Sequence, residues 1–190
     1  MAARHAPRRR TRFLRLRAIM LSSLFFLFSV PCLHAIPTWE RSFTGDGNLV
    51  WSRTYGTPWW DDGGCVLSTR TNQLVVGGTI GKGDYPVPND AYALWLDLNG
   101  EVTRARAYGG PLGDFFQEVV QTADQGFLFG GSTNTGVQFD IFLVRTDPEG
   151  VPLWTQTFGE ADHDRCGGVY EAEDGSLFVA GTSTDASYET

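Results

Sequence analysis

Trp154-Thr155-Gln156-Thr157-Phe158-Gly159, followed later by Ala180-Gly181, is the third statement of one pattern. The second is Arg104-Ala105-Arg106-Ala107-Tyr108-Gly109, then Gly130-Gly131. The first is Trp51-Ser52-Arg53-Thr54-Tyr55-Gly56, then Gly77-Gly78. From the glycine after the aromatic residue to the last glycine is 22 residues in every copy (56 to 78, 109 to 131, 159 to 181), and the copies start 53 and 50 residues apart. Fixed internal spacing at such a period marks a repeat architecture. Arg104 and Ala180 stand where the other copies have Trp and Gly, so the pattern reads as a structural frame, and specificity is expected in the loops between its fixed points.

Each copy resolves into four short strands. Trp51, Arg53 and Tyr55 fall on one face of Leu49–Tyr55, with Ser52 and Thr54 on the other, the alternation of a strand. Val102–Tyr108 and Leu153–Phe158 repeat it, and Gly56, Gly109 and Gly159 end these strands where the chain must turn. Five residues after each glycine comes an aspartate: Asp61, Asp114, Asp164. A second strand follows (Cys65–Thr69, Glu118–Thr122, Gly168–Ala172). Turns at Asn72-Gln73, Asp124-Gln125-Gly126 and Asp174-Gly175 lead into a third (Leu74–Gly78, Phe127–Gly131, Leu177–Gly181). Its unbroken apolar character predicts burial on both faces, and its terminal small residues predict close backbone approach. A fourth strand runs from Asp90 towards Gly100 and from Asp140 towards Gly150, ending in an Asp-x-x-Gly turn. Asp46-Gly47-Asn48 takes that turn's place ahead of the first copy, with Trp39–Phe43 as a strand paired to Leu49–Tyr55.

Four strands every 50 residues or so, without helical periodicity, predict an all-β chain: a partial β-propeller of about three four-stranded antiparallel blades over residues 36–190. Propellers close with roughly 4–8 blades, and open blade edges carry unpaired N–H and C=O groups. The third copy reaches Thr190 before its fourth strand. The expectation is a fragment of a longer protein, with the remaining blades in cis or supplied by self-assembly.

Residues 1–35 have the layout of a signal peptide. Seven arginines before residue 18 form a basic head, Ala18–Val30 is an apolar run of 13, and a small-residue exit lies near Ala35. The run is short of the roughly 20 residues a spanning helix needs, so cleavage and export are expected, to the periplasm, outer surface or extracellular space, with no membrane insertion of the mature chain. The full chain has 15 basic and 22 acidic residues; with seven arginines in the leader and no acid before Glu40, residues 36–190 carry eight basic against 22 acidic groups, net −14. That excludes a nucleic-acid binder, which needs a basic face to displace counterions from phosphates. Cys65 and Cys166 occupy different slots of non-neighbouring repeats and are expected as free thiols, because a disulfide needs Cα atoms within about 7 Å.

With these residues laid out, the chain resembles the bacterial β-propeller repeat family of secreted and surface proteins, whose repeat looks like Trp…Tyr-Gly…Asp…Asp-Gly…Gly-x-Thr, then Asp-x-Tyr-Leu…Asp…Gly…Trp. The likeness covers residues 47 to 185 and rests on spacing. Gly78-Thr79…Asp84-Tyr85-Pro86 is similar to a sister repeat. The resemblance implies export and a repetitive scaffold, and it transfers no catalytic residues. Kelch-like blades share the Gly-Gly placement. Quinoprotein blades share part of Asp147-Pro148-Glu149-Gly150-Val151-Pro152-Leu153-Trp154, without the leading Ala and one residue short.

The variable positions hold the candidates. Trp59-Trp60 has no aromatic counterpart in Leu112-Gly113 or Asp162-His163, and paired tryptophans in a loop stack on a sugar or a partner's side chain; packing beneath the neighbouring blade is the alternative. Asp162, Asp164 and Glu173 fall at calcium-loop positions around Gly167, but Cys166 is a poor ligand for a hard cation and Asp164 is the repeat aspartate, better read as a turn cap. Asp61-Asp62, Asp90 and Asp140 read as solvated turns or caps, and His163 as a solvated loop residue. The expectation is therefore a non-enzymatic binding module or scaffold for a protein or glycan ligand, with Trp59 and Trp60 as contact residues and no catalytic residues, metal or cofactor. The alternative is a propeller enzyme (lyase, glycosidase or quinoprotein-like) whose catalytic residues lie in other blades.

Overall fold

The computed structural model describes residues 38–83, 88–160 and 162–184; the leader-like residues 1–35 and Asp84-Tyr85-Pro86 lie outside the described residues. The described residues form strands and turns only. In chain order the strands are β1 (Thr38–Phe43), β2 (Leu49–Tyr55), β3 (Asp62–Ser68), β4 (Leu74–Ile80), β5 (Asp90–Leu96), β6 (Val102–Tyr108), β7 (Asp114–Gln121), β8 (Phe127–Asn134), β9 (Phe139–Thr146), β10 (Pro152–Phe158), β11 (Asp164–Glu171) and β12 (Leu177–Ser183). All pairings are antiparallel, in the orders β1-β2, β3-β4-β5-β6, β7-β8-β9-β10 and β11-β12. The all-β reading and the strand paired ahead of the first copy both hold.

The grouping of strands differs from the sequence unit. Leu49–Tyr55, Val102–Tyr108 and Leu153–Phe158 open the sequence copies, yet β6 and β10 close their sheets, on the edge opposite β3 and β7. A periodic pattern has no intrinsic origin; hydrogen bonding to the preceding strand, not proximity to the following glycine, assigns the aromatic strand to the earlier sheet. Its side chains then reach forward. Trp51 Nε1, Arg53 Nε and Tyr55 Oη donate to the carbonyls of Leu98, Asn99 and Gly100, at 2.9, 3.0 and 2.5 Å. Arg104 Nη1, Arg106 Nε and Tyr108 Oη donate to those of Pro148, Glu149 and Gly150, at 3.0, 2.9 and 2.8 Å. Three alternate residues of one strand thus latch three consecutive carbonyls of the next sheet's last turn, and Arg104 performs the task of Trp51.

Each first strand bulges at the same repeat slot: Gly64, Gln117 and Gly167 lie opposite no partner, since the register steps from Gly63 to Cys65, Phe116 to Glu118 and Cys166 to Gly168. Bulges increase local twist, and here they fall where the sheets meet. A Cβ on Gly64 would stand 2.1 Å from the Phe116 carbonyl oxygen of the next sheet, and one on Gly131 would stand 1.8 Å from the Phe115 carbonyl.

The core lies between sheets. Val75, Ala93, Trp95 and Tyr108 of the first four-stranded sheet meet Phe116, Phe129 and Phe142 of the second. Phe116 stacks on Phe129 with ring centroids 4.8 Å apart, and Trp95 meets Phe127 edge-on at 5.6 Å. Each fully buried aromatic contributes about 2–3 kcal/mol of transfer free energy. The other face of the second sheet offers Leu128, Ile141 and Leu143 to Cys166 and Val169 of β11. β4 and β8 are buried on both faces as expected. β12 is not: Phe178 is 58% exposed. Its apolar run matches β4 and β8, but among the described residues no sheet lies against its outer face. The two thiols, Cys65 and Cys166, are unbridged.

Candidate functional site

The repeat aspartates cap the turns between sheets. Asp61 Oδ2 accepts the Thr57 N–H (2.6 Å) and Asp61 Oδ1 the Gly81 N–H (2.9 Å). Asp114 Oδ2 accepts the Gly110 N–H and Asp164 Oδ2 the Glu160 N–H. The preceding glycines make room for the carboxylates, since a Cβ on Gly109 would stand 2.0 Å from Asp114 Oδ2. The turn-cap reading of these aspartates holds.

Asp114 differs from its counterparts. It is 2% exposed, and its Oδ1 has no hydrogen-bond partner of normal geometry. Desolvation raises its pKa and the Asp90 charge adds to the rise; the Thr133 hydroxyl, the Gly110 N–H and Lys82 oppose it. Asp90 is itself paired with Lys82. Asp164 moves the other way, lowered chiefly by its hydrogen bond to Ser183 and then by the Glu160 N–H.

Asp114 borders a cleft of ≈ 580 Å³ between the first and second four-stranded sheets, lined also by Trp60, Asn89, Phe115, Phe116 and Phe139. Trp60 and Gly113 share a repeat slot, as do Asp62 and Phe115, and Asn89 and Phe139; the cleft is thus built from the same three repeat slots of adjacent sheets. A second space of ≈ 470 Å³ reaches Asp114 from the other side, past Tyr108, Thr133 and Phe142. Burial raises the Tyr108 phenol.

The tryptophan pair divides. Trp60 is 53% exposed and lines the cleft. Trp59 is half-buried and packs on Gly81, where a Cβ would stand 2.5 Å from that of Trp59. The two residues thus differ in setting: Trp60 opens to the cleft, and Trp59 packs on the loop that follows β4 of its own sheet, not beneath a neighbouring one. Asn89, Phe115 and Phe139 were missed in sequence; the available signal was that Asn89 and Phe139 each directly precede the aspartate of a fourth strand.

The calcium-loop spacing does not make one site. Asp164 opens β11 and Glu173 lies beyond its end, so at about 3.3 Å per extended residue they stand roughly 30 Å apart. Among the described residues no three His, Cys, Asp or Glu side chains converge for a metal. Asp61 and Asp62 separate too: Asp61 is buried in its cap and Asp62 exposed at the start of β3. Asp140 accepts the Gln138 side-chain amide. His163 is not merely solvated: its Nδ1 accepts the Phe139 N–H at 3.0 Å.

No protein-family model matches the chain, and no curated protein matches it either.

Proposed function

We propose that this chain is a sector of an exported β-propeller that binds a glycan in the cleft between its first two four-stranded sheets, without turning the ligand over. The propeller reading is supported by the repeated four-strand order, by bulges at one slot of every first strand and by the latches that β2 and β6 make to the following sheet. Export is supported by the leader-like layout of residues 1–35, and the bacterial secreted family remains the sequence resemblance that fits.

The observation that carries the binding reading is the exposed Trp60 indole, which shares one cleft with Asn89 and the buried Asp114. An aromatic face covers the apolar C–H side of a sugar, while the Asn89 amide supplies a directional partner for a hydroxyl. The nearby charges are committed to structure: Asp61 caps a turn, and Asp90 holds Lys82. That favours a binding module over an enzyme.

Tryptophan-fluorescence titration with a panel of oligosaccharides tests this. At least one member should bind the wild type, and Trp60→Ala should weaken that binding about tenfold, the equivalent of 1.4 kcal/mol. Trp60→Ala removes an exposed side chain and should leave the melting temperature nearly unchanged. A wild type that binds no sugar but does bind a protein partner would sink the glycan reading, as would unaltered affinity in Trp60→Ala.

A further inference from the structure

We infer that the two half-sheets of this chain complete one another between copies, the free edge of β12 in one molecule pairing antiparallel with the free edge of β1 in a second. The inference rests on the propeller reading for the count of sheets, but the edge pairing stands on register alone.

In the complete sheets, β4 pairs with β5 and β8 with β9, second strand to third. By repeat slot, β11-β12 is a first and second strand without a third. β1-β2 is a third and fourth strand without a second, because β2 corresponds to β6 and the pair Thr38↔Tyr55 to Ala91↔Tyr108. Each half therefore presents the edge the other lacks, and β1 is the one third-slot strand among the described residues with no second-slot neighbour.

The register follows from the complete sheets. Leu74↔Leu96, Val75↔Trp95 and Gly78↔Tyr92 translate to Leu177↔Phe43, Phe178↔Ser42 and Gly181↔Trp39. The matched ends are apolar, with Phe43 56% and Phe178 58% exposed. An unpaired strand edge is a template for another strand. The described residues of one copy hold two whole sheets and two halves, equal to three. Two copies make six, within the roughly 4–8 that close a propeller, and the two identical junctions fit a closed two-fold assembly.

The test combines mass and trapping on the protein recovered from the full chain. Native mass spectrometry should find a dimer. Ser42→Cys and Phe178→Cys variants, mixed and oxidised, should give a disulfide-linked dimer that neither gives alone. Ser42→Cys mixed with Val179→Cys, one residue off register and facing the opposite side of the sheet, should trap at least tenfold less. Circular dichroism of each variant shows that it has folded before mixing. A folded monomer, equal trapping in both mixtures, or an intramolecular disulfide in the double variant Ser42→Cys/Phe178→Cys would overturn the pairing, the first being the result expected if further repeats in cis fill both edges. A folded monomer that still binds sugar through Trp60 would leave the cleft reading intact, and a dimer without sugar binding would do the reverse.

Discussion

Two carboxylates in neighbouring turns are pushed in opposite directions, and their effects on stability have opposite signs. Asp124 accepts from the Thr122 hydroxyl and from Arg145 Nη2, each at 2.7 Å. Those bonds, Thr122 first, draw its pKa from 3.8 to about 2. The folded state therefore holds fewer protons than the unfolded one between about pH 2 and 4. The stabilisation is fully present above pH 4 and is lost as pH falls through about 2. The side chain is 59% exposed, so solvent screening reduces the contribution to about 1 kcal/mol. Asp124→Asn should lower unfolding free energy by about that amount at pH 7, with the difference vanishing towards pH 2. Urea titrations at both pH values check it, and an equal loss at both would contradict the ionic assignment. Asp114 behaves inversely. Its raised pKa means that the folded state keeps its proton longer, so stability is greatest below pH 4 and falls as pH rises through the folded pKa. Asp114→Asn keeps an acceptor for the Gly110 N–H and cannot ionise. Its stability relative to wild type should therefore climb between pH 4 and neutrality; a flat difference would show that the carboxyl is already satisfied.

At the scale of elements, the latches from β2 and β6 to the next sheet's last turn join the sheets. The Tyr108 hydroxyl donates to the Gly150 carbonyl in a buried setting, and removing it leaves that acceptor unpaired. Tyr108→Phe should cost about 1–2 kcal/mol in chemical denaturation, and Tyr55→Phe less, because its bond is only part-buried; the reverse order would argue against the latch. Gly150 cannot accept a substitute, since its φ is +76° and a Cβ would stand 2.4 Å from the Trp95 ring. How much of this was legible follows from what a sequence encodes. Outer-strand bounds, the turns and the capping aspartates came from alternation and spacing, and Leu49–Tyr55 and Val102–Tyr108 coincide with β2 and β6. The sheet to which an outer strand belongs was not legible, because pairing is non-local. Nor were the bulges, whose slot is filled by glycine in Gly64 and Gly167 but by Gln117 in the middle copy. The positive-φ residue of the middle turn is Gln125, with Gly126 beside it needed for space: a Cβ there would stand 2.2 Å from the Thr146 carbonyl. Trp60 was singled out by its irregularity, whereas Asp114, its neighbour across the cleft, was masked by belonging to the repeat.

For the whole molecule, burial sets a gradient of local stability running from the middle of the chain outward. β8 lies between the first four-stranded sheet and β11, with Leu128 and Phe129 fully buried, and β5 holds Trp95 and Leu96. Among the described residues, β12 shares one ladder with β11 and has no strand on its other edge, and β1 has none on its own. Amides open locally with free energies that track such burial, from near zero at frayed edges to the global value in the core. Hydrogen exchange should therefore protect β8, β9, β4 and β5 by several orders of magnitude more than β12 and β1 when the protein is dilute. Pairing between copies adds a concentration dependence that burial within one chain cannot produce. Raising protein concentration through the dimer range should slow exchange in β1 and β12 together, by the same factor, and leave β8 unchanged. Protection that rises in only one of the two strands would mean that each edge meets a different partner. Protection that is high in both at every concentration would place both edges inside one continuous chain.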